Sequence, residues 1–328
     1  MSADATEVRC FADGVRAGDR KAVARTITLL ESKRRDHAEV GQAILEALLP
    51  ETGGSIRLGI TGTPGVGKST FIESLGLRLI DAGRRVAVLA VDPSSQISGG
   101  SILGDKTRME RLAQREEAFI RPSPSGGELG GVAHRTREAL LVCEAAGHDV
   151  VIVETVGIGQ SEAVVASMVD FFTVLLQPGA GDELQGLKKG VLEIADVLLV
   201  NKADGSQARL AERTRAEHES AVQLFRAQGA WRARVLKASA RSGEGVEAFW
   251  ETVLDHRRQA TANGALEARR HQQDRAWMWS LVKEGLDRSF REHPEVRARI
   301  ASLEAEVERR TVAPARAARL LLELFHKG

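Results

Sequence analysis

Apolar positions fall into two patterns along the chain. In the first fifty residues they recur at helical spacing: Val23, Ile27 and Leu30 follow Gly18-Asp19, and Val40, Ile44 and Leu48 form a second stripe. Asp19 stands where a helix N-cap belongs, and Pro50 closes the second stripe. The spacing predicts a helical pair that packs as structure, with Glu51-Thr52-Gly53-Gly54 as a short linker after it.

From residue 56 the period changes. Short apolar runs alternate with helical stretches: Ile56–Thr61, Arg85–Val91, Val150–Glu154, Phe171–Leu176, Val197–Asn201 and Arg234–Ala238, with Ala118–Arg121 as a further candidate. Runs rich in β-branched residues suit strands buried on both faces. Their alternation with helices predicts an α/β fold, a mainly parallel sheet flanked by helices. This core ends near Arg258, and the remainder is charged and helical. There Val296, Ile300, Leu303 and Val307 make a coiled-coil-like seam, Pro294 and Pro314 sit at helix starts, and Leu320, Leu321, Leu324 and Phe325 form a last apolar face. A seam so far from the core needs a covering surface, and a second subunit is the expected one. The organisation that follows is a helical extension over 1–54, an α/β domain over 55–258 and a helical arm over 259–328.

Composition narrows the function classes. The 328 residues are 43% apolar and 28% charged, with a formal net charge of +1. That balance draws the chain neither to nucleic acid nor to a membrane surface. No run approaches the roughly 18 apolar residues of a membrane span, and the charged first thirty residues contain no secretory h-region. A cytoplasmic protein is expected. Cys10 and Cys143, far apart, make neither a disulfide framework nor a cysteine metal site.

The chemistry begins at Gly62-Thr63-Pro64-Gly65-Val66-Gly67-Lys68-Ser69, which satisfies GxxxxGK[ST] between a strand and the helical run from Thr70. The glycines let backbone N–H groups converge on one anion, and the helix N-terminus adds partial positive charge. Lys68 reaches β- and γ-phosphate oxygens, and the Ser69 hydroxyl suits Mg²⁺. The base is read at Asn201-Lys202-Ala203-Asp204, after a strand. The Asp204 carboxylate matches the two donors of guanine and would stay unpaired against adenine. Asn201 can bond the base edge and the loop, the Lys202 stem can cover the base, and a backbone N–H at Ser239-Ala240 can meet the guanine oxygen.

Val150–Glu154 ends in an acid, followed by Thr155-Val156-Gly157, the DxxG place of GTPases with glutamate for aspartate. Glu154 can hold Mg²⁺, directly or through water, and the Gly157 N–H can sense the γ-phosphate. Ile158 stands where Ras-like proteins place the water-orienting glutamine. Another group must do that work, or hydrolysis stays slow until a partner supplies it; Gln160 is the weaker candidate. Asp92, in Val91-Asp92-Pro93-Ser94-Ser95, closes the second strand on the edge where α/β sheets bind ligands. Asp105 lies in a glycine-rich stretch, 99–106, suited to a switch, and the stretch 177–190 with Lys188 is a second such loop.

Taken together, Gly62–Ser69, Val91–Ser95, Gly99–Met109, Glu154–Gln160, Gln177–Lys189 and Asn201–Asp204 resemble the MeaB/ArgK G proteins, GTPases associated with methylmalonyl-CoA mutase. The segments ETVGIGQSE and QPGAGDELQGLKKG carry the resemblance most specifically. It implies a P-loop GTPase of the SIMIBI class that dimerises through C-terminal helices. It also implies a chaperone that helps load or protect adenosylcobalamin in the mutase. Catalytic and magnesium acids would fall on Asp92, Asp105 and Glu154, and phosphate contacts on Gly65, Gly67, Lys68, Ser69 and Thr70. The chain has no DxHxxG motif, so the cobalamin would belong to the partner. Two other readings compete. A nickel-delivery GTPase would want a histidine-rich tract or paired cysteines, and the eight histidines here are scattered. A kinase would need an acceptor site and normally prefers ATP, against the guanine reading of Asp204.

Overall fold

The computed structural model describes residues 5–32, 34–91, 109–122, 129–155, 161–179, 189–222 and 231–326. All seven expected strands form: β1 Ile56–Gly62, β2 Val86–Val91, β3 Ala118–Pro122, β4 Val150–Thr155, β5 Phe171–Leu176, β6 Val197–Val200 and β7 Arg234–Lys237. They make one sheet in the order β3-β2-β4-β1-β5-β6-β7, and every pairing is parallel. Strands β1 to β6 are buried almost throughout because both faces are covered. Alternate residues serve opposite layers: Val151, Val153, Phe172 and Val174 face one core, while Val150, Ile152, Phe171 and Leu175 face the other.

One layer holds the N-terminal helices. There are three, α1 Ala5–Arg16, α2 Arg20–Glu31 and α3 Arg35–Leu48; the helical pair read from the sequence is α2 and α3, and α1 was not anticipated. Asp19 caps α2 as expected, accepting from the Lys21 N–H at 2.9 Å. These helices pack on α6 (Leu129–Ala145), which itself lies on the sheet. The opposite layer is built from α4 (Lys68–Asp81), the short α5 (Glu110–Ala113) and α10 (Val246–Ala262), with Phe71 and Phe249 edge to face at 5.1 Å. The short helices α7 (Ser161–Ala166) and α8 (Lys189–Glu193) follow β4 and precede β6, and α9 (Ala208–Val222) packs on β6 and β7.

The chain divides into two compact units, 1–271 and 272–328. The helix α11 (Ala265–Glu292) spans that boundary, and α12 (Pro294–Glu308) and α13 (Pro314–His326) complete the second unit. Both prolines start helices as expected. The seam on α12 finds its first partner inside the chain: α12 packs on α13, and Val296 and Leu303 are buried without a second subunit. Exposed apolar surface lies instead on α11, at Met278, Trp279, Leu281, Val282 and Leu286. Among the described residues no helix is long and apolar enough to cross a membrane.

At the amino ends of the central strands, charge is buried in pairs. Arg57 on β1 holds Glu144 of α6 through two bonds of 2.9 Å. Asp170, next to β5, takes the Arg57 N–H at 3.0 Å and the Arg270 guanidinium at 2.8 and 2.6 Å. Burial alone would raise the Asp170 pKa; the Arg270 bonds and charge, with the Arg57 N–H, outweigh it and hold the carboxyl below its usual range.

A second buried acid is less well matched. Glu138 of α6 accepts from the Gln42 side chain of α3 at 2.5 Å. Burial pushes its carboxyl up to about 7, against the Gln42 bond and the Arg135 charge, with Glu31 adding a little in the same direction as burial. A carboxyl raised in the folded state favours folding while protonated. Its contribution is full below the unfolded value near 4.5 and lost as pH rises through about 7. Replacing Glu138 by Gln should therefore stabilise the protein at pH 8, by roughly 1–3 kcal/mol on the scale of 1.36 kcal/mol per pKa unit. The gain should shrink toward pH 5. Urea unfolding of both proteins across that range checks this, and a pH-independent difference would contradict it.

Candidate nucleotide-binding site

Because the sheet is parallel, every strand delivers its carboxyl end to one edge. β1 runs into the loop 62–67, and α4 begins at Lys68. Two glycines are required by the close approaches here. Gly62 has φ +154°, and a Cβ on it would stand 2.7 Å from the Leu175 carbonyl oxygen of β5. Gly67 has φ +94°, and a Cβ there would meet the Asn201 amide nitrogen at 2.8 Å. Pro64 and Gly65 are exposed, whereas Val66 is buried and anchors the loop in the core.

The loop is held through its carbonyls. The Lys68 ammonium donates to the Gly62 and Thr63 oxygens at 2.7 and 3.2 Å. Lys202 donates to the Gly65 oxygen at 2.6 Å, and the Asn201 amide to the Val66 oxygen at 2.9 Å. The amino group of Lys68 is thus folded back onto the start of the loop. Ser69 and Thr70, in the first turn of α4, are partly or fully exposed.

Glu154, near the end of β4, is buried and accepts from the Ser69 hydroxyl at 3.3 Å. β4 neighbours β1, so strand order alone brings the acid to the start of α4. A carboxylate and a hydroxyl side by side are hard oxygen donors, the set that Mg²⁺ prefers, so the residues present fit that ion. Below them the Thr61 and Thr155 hydroxyls share a buried bond of 2.7 Å, tying β1 to β4 just before both reach the site.

Asn201 leaves the end of β6 and its amide spans two loops. Besides its bond to Val66, its oxygen accepts from the Ala240 N–H at 3.1 Å, beyond β7. Lys202 takes a left-handed backbone, φ +58°, which turns its side chain to Gly65. The Ala203 N–H meets the Ala238 oxygen at 3.0 Å and fixes the turn. Asp204 is half-buried, and its carboxylate makes no hydrogen bond among the described residues, so both oxygens stay open to a ligand. Ser239 is buried and its hydroxyl accepts from the Ser242 N–H at 3.1 Å, which shapes the loop next to Ala240.

The structure therefore gathers Gly62 to Thr70, Glu154, Asn201, Lys202, Asp204, Ser239 and Ala240 along one sheet edge. Asp92, Asp105 and Gly157 lie outside the described residues, as do Ile158, Gln160 and Lys188. Among the described residues no group of three or more histidines, cysteines or acids is placed to hold a metal. Two features escaped the sequence reading. The carbonyl-capping role of Lys202 depends on its left-handed backbone, which nothing in a lysine announces. Gln177, just after β5, was legible only as the first residue of a loop, yet its side chain comes next to Gly65.

With this geometry in hand, comparison with known proteins is informative. The family model described as methylmalonyl-CoA mutase-associated GTPase MeaB matches residues 23–295. GTPase ArgK of Escherichia coli (strain K12) is 49% identical over 271 residues, 82% of this chain and 82% of that protein. The mouse mitochondrial methylmalonic aciduria type A homolog is 45% identical over 326 residues, 95% of this chain and 78% of that protein. A crystal structure described as a LAO/AO transport system kinase superposes with a TM-score of 0.79 at 37% identity, covering 98% of this chain and 99% of its own. Strand order, phosphate loop and family match agree, and the chain is a P-loop GTPase belonging to the MeaB family of methylmalonyl-CoA mutase-associated GTPases.

Proposed function

We propose that this protein is a magnesium-dependent GTPase chaperone that assists the loading and protection of adenosylcobalamin in methylmalonyl-CoA mutase. The observation that carries the reading is the pair of hydrogen bonds of the Asn201 amide, donated to the Val66 oxygen and accepted from the Ala240 N–H, which ties the phosphate loop to the loops after β6 and β7 in a chain of this family. Lys68 exchanges the Gly62 and Thr63 carbonyls for β- and γ-phosphate oxygens. Gly62, Pro64, Gly65, Val66, Gly67 and Thr70 shape and line the cradle. Ser69 and Glu154 hold the metal, with Asp92 and Asp105 as further acids for it and for the attacking water, and Gly157 senses the γ-phosphate. Asp204 takes the two guanine donors, Lys202 covers the base, and the Ser239-Ala240 backbone meets its oxygen. Bound Mg²⁺ would neutralise charge building on the β- and γ-phosphates.

The domain reading is a helical extension over 1–54, a G domain over 55–258 and an arm over 259–328 that pairs two copies in the cytoplasm. Support for the arm is its exposed Met278, Trp279, Leu281, Val282 and Leu286. A contiguous apolar face of this kind marks an interface. Sedimentation should find a dimer, and Trp279→Asp with Leu286→Asp should convert it to monomer; dimers surviving both changes would move the interface elsewhere.

Two tests address the site. Lys68→Ala should abolish measurable turnover and weaken nucleotide binding. Asp204→Asn should cost GTP affinity by about 100-fold, the scale of leaving a buried recognition pair unmade, while leaving ATP affinity unchanged. An unaltered GTP-to-ATP ratio in Asp204→Asn would remove the base-reading role.

With Ile158 in the water-orienting place, turnover by the protein alone should lie at about 10⁻⁴ to 10⁻² per second, the range of unaided GTPases. Added methylmalonyl-CoA mutase should raise it, with no comparable ATP turnover. Hydrolysis that is fast alone would contradict the partner-activated mechanism, and slow hydrolysis indifferent to the mutase would contradict the choice of client.

A further inference from the structure

We propose that the Gln177 side-chain amide is a phosphate-positioning donor, reaching the phosphate chain of a bound guanosine di- or triphosphate from the β5 side of the loop. The inference rests on the nucleotide-site reading above and adds a residue to it.

Register places Gln177 there. Gly62 of β1 pairs with Leu175 of β5, so the residue two beyond Leu175 runs level with the middle of the phosphate loop. The Gln177 amide nitrogen lies 4.0 Å from the point where a Cβ on Gly65 would stand, and Gly65 has none, at φ +78°. The segment carrying it is fastened on both sides. The Asn201 N–H donates to the Leu176 oxygen at 2.9 Å, and the Gly179 N–H to the Thr214 hydroxyl at 2.9 Å, with Pro178 between. The side chain itself is half-buried and makes no hydrogen bond among the described residues. A backbone tied down this firmly has thus delivered a donor with no partner among the described residues to the rim of an anion cradle.

A second unused group lies on the loop itself. The Thr63 hydroxyl oxygen is buried and has no partner among the described residues. A buried polar group left unpaired is costly, and native structures keep few. The buried Thr63 hydroxyl, with the half-buried Gln177 amide beside the same loop, points to a ligand, or the water that precedes it, as the missing partner. The amide also supplies what the site lacks on this side. β4 and β5 flank β1 on opposite sides, so Glu154 and the metal approach the phosphates from one side and Gln177 from the other. A neutral donor there can orient phosphate oxygens without competing with Lys68 for charge.

The test uses the full chain with Mg²⁺. Titrations with GDP and a non-hydrolysable GTP analogue compare wild type, Gln177→Ala, Gln177→Glu and Lys68→Ala. Gln177→Ala should weaken binding about tenfold, the loss of one bond to a charged acceptor. Gln177→Glu should weaken it further, because a carboxylate then faces phosphate. A packing role predicts the reverse order, since the nearly isosteric Glu would rescue. In the wild-type protein the Gln177 side-chain amide resonance should shift when Mg·GDP is added, a readout that needs no variant to fold. Wild-type affinity in both Gln177 variants, rescue by Glu, or an unmoved amide resonance would each overturn the proposal while Lys68→Ala still loses binding. Normal binding by Lys68→Ala would overturn the nucleotide-site reading itself, and this proposal with it.

Discussion

A phosphate loop has a structural problem that the Asn201 amide solves. Its inward N–H groups must stay open for an anion, so the loop cannot be stabilised by pairing them within the fold. Its stability has to come through the carbonyls that point the other way. Here Lys68, Lys202 and Asn201 take those carbonyls, at Gly62, Thr63, Gly65 and Val66. Asn201 does more than the two lysines, because its oxygen is simultaneously bonded to Ala240. One side chain thereby sets the distance between the phosphate loop at β1 and the loops after β6 and β7, two and three strands away.

That span is meaningful only because the sheet beneath it is rigid. Seven parallel strands, six of them buried almost throughout, present their carboxyl ends as one edge. The amino ends are fixed by the buried pairs Arg57–Glu144 and Asp170–Arg270. Buried pairs add little net stability over well-packed apolar groups, but removing one partner strands a charge at a cost of roughly 3–5 kcal/mol. They therefore act as specific fasteners. Arg270, at the start of α11, is bonded to the Ser55 oxygen and to Asp170, and so ties the linker before β1 to β5. Chemistry occupies one edge of the sheet and these fasteners the other.

Much of this was legible in the sequence, for identifiable reasons. Strands buried on both faces read as unbroken apolar runs, and all seven stood within a residue or so of their observed limits. The phosphate loop was legible because its chemistry needs particular residues at fixed spacing, and the turn at Asn201–Asp204 stood out directly after an apolar strand. Other features left no local trace. Helix α1 carries only Ala12 and Val15 as fully buried residues, too few to stand out as a stripe. The first contacts of the α12 seam were misplaced because periodicity shows that a face is apolar and says nothing about what covers it. Gln177 was invisible as a site residue because its position depends on β5 lying beside β1, a long-range fact that no neighbouring residue encodes.

The lysine contacts also bear on how the site takes its ligand. In this structure Lys68 and Lys202 donate to neutral carbonyls of the loop. A phosphate oxygen carries more negative charge than a carbonyl oxygen, so under the nucleotide-site reading an ammonium that exchanges one for the other gains Coulomb attraction. The Lys68 ammonium lies at the Gly62 end of the loop. Lys202 marks the other end at Gly65, next to Asn201 and the base-reading turn. The two lysines thus hold the loop at two places, Lys68 at Gly62 and Lys202 at Gly65.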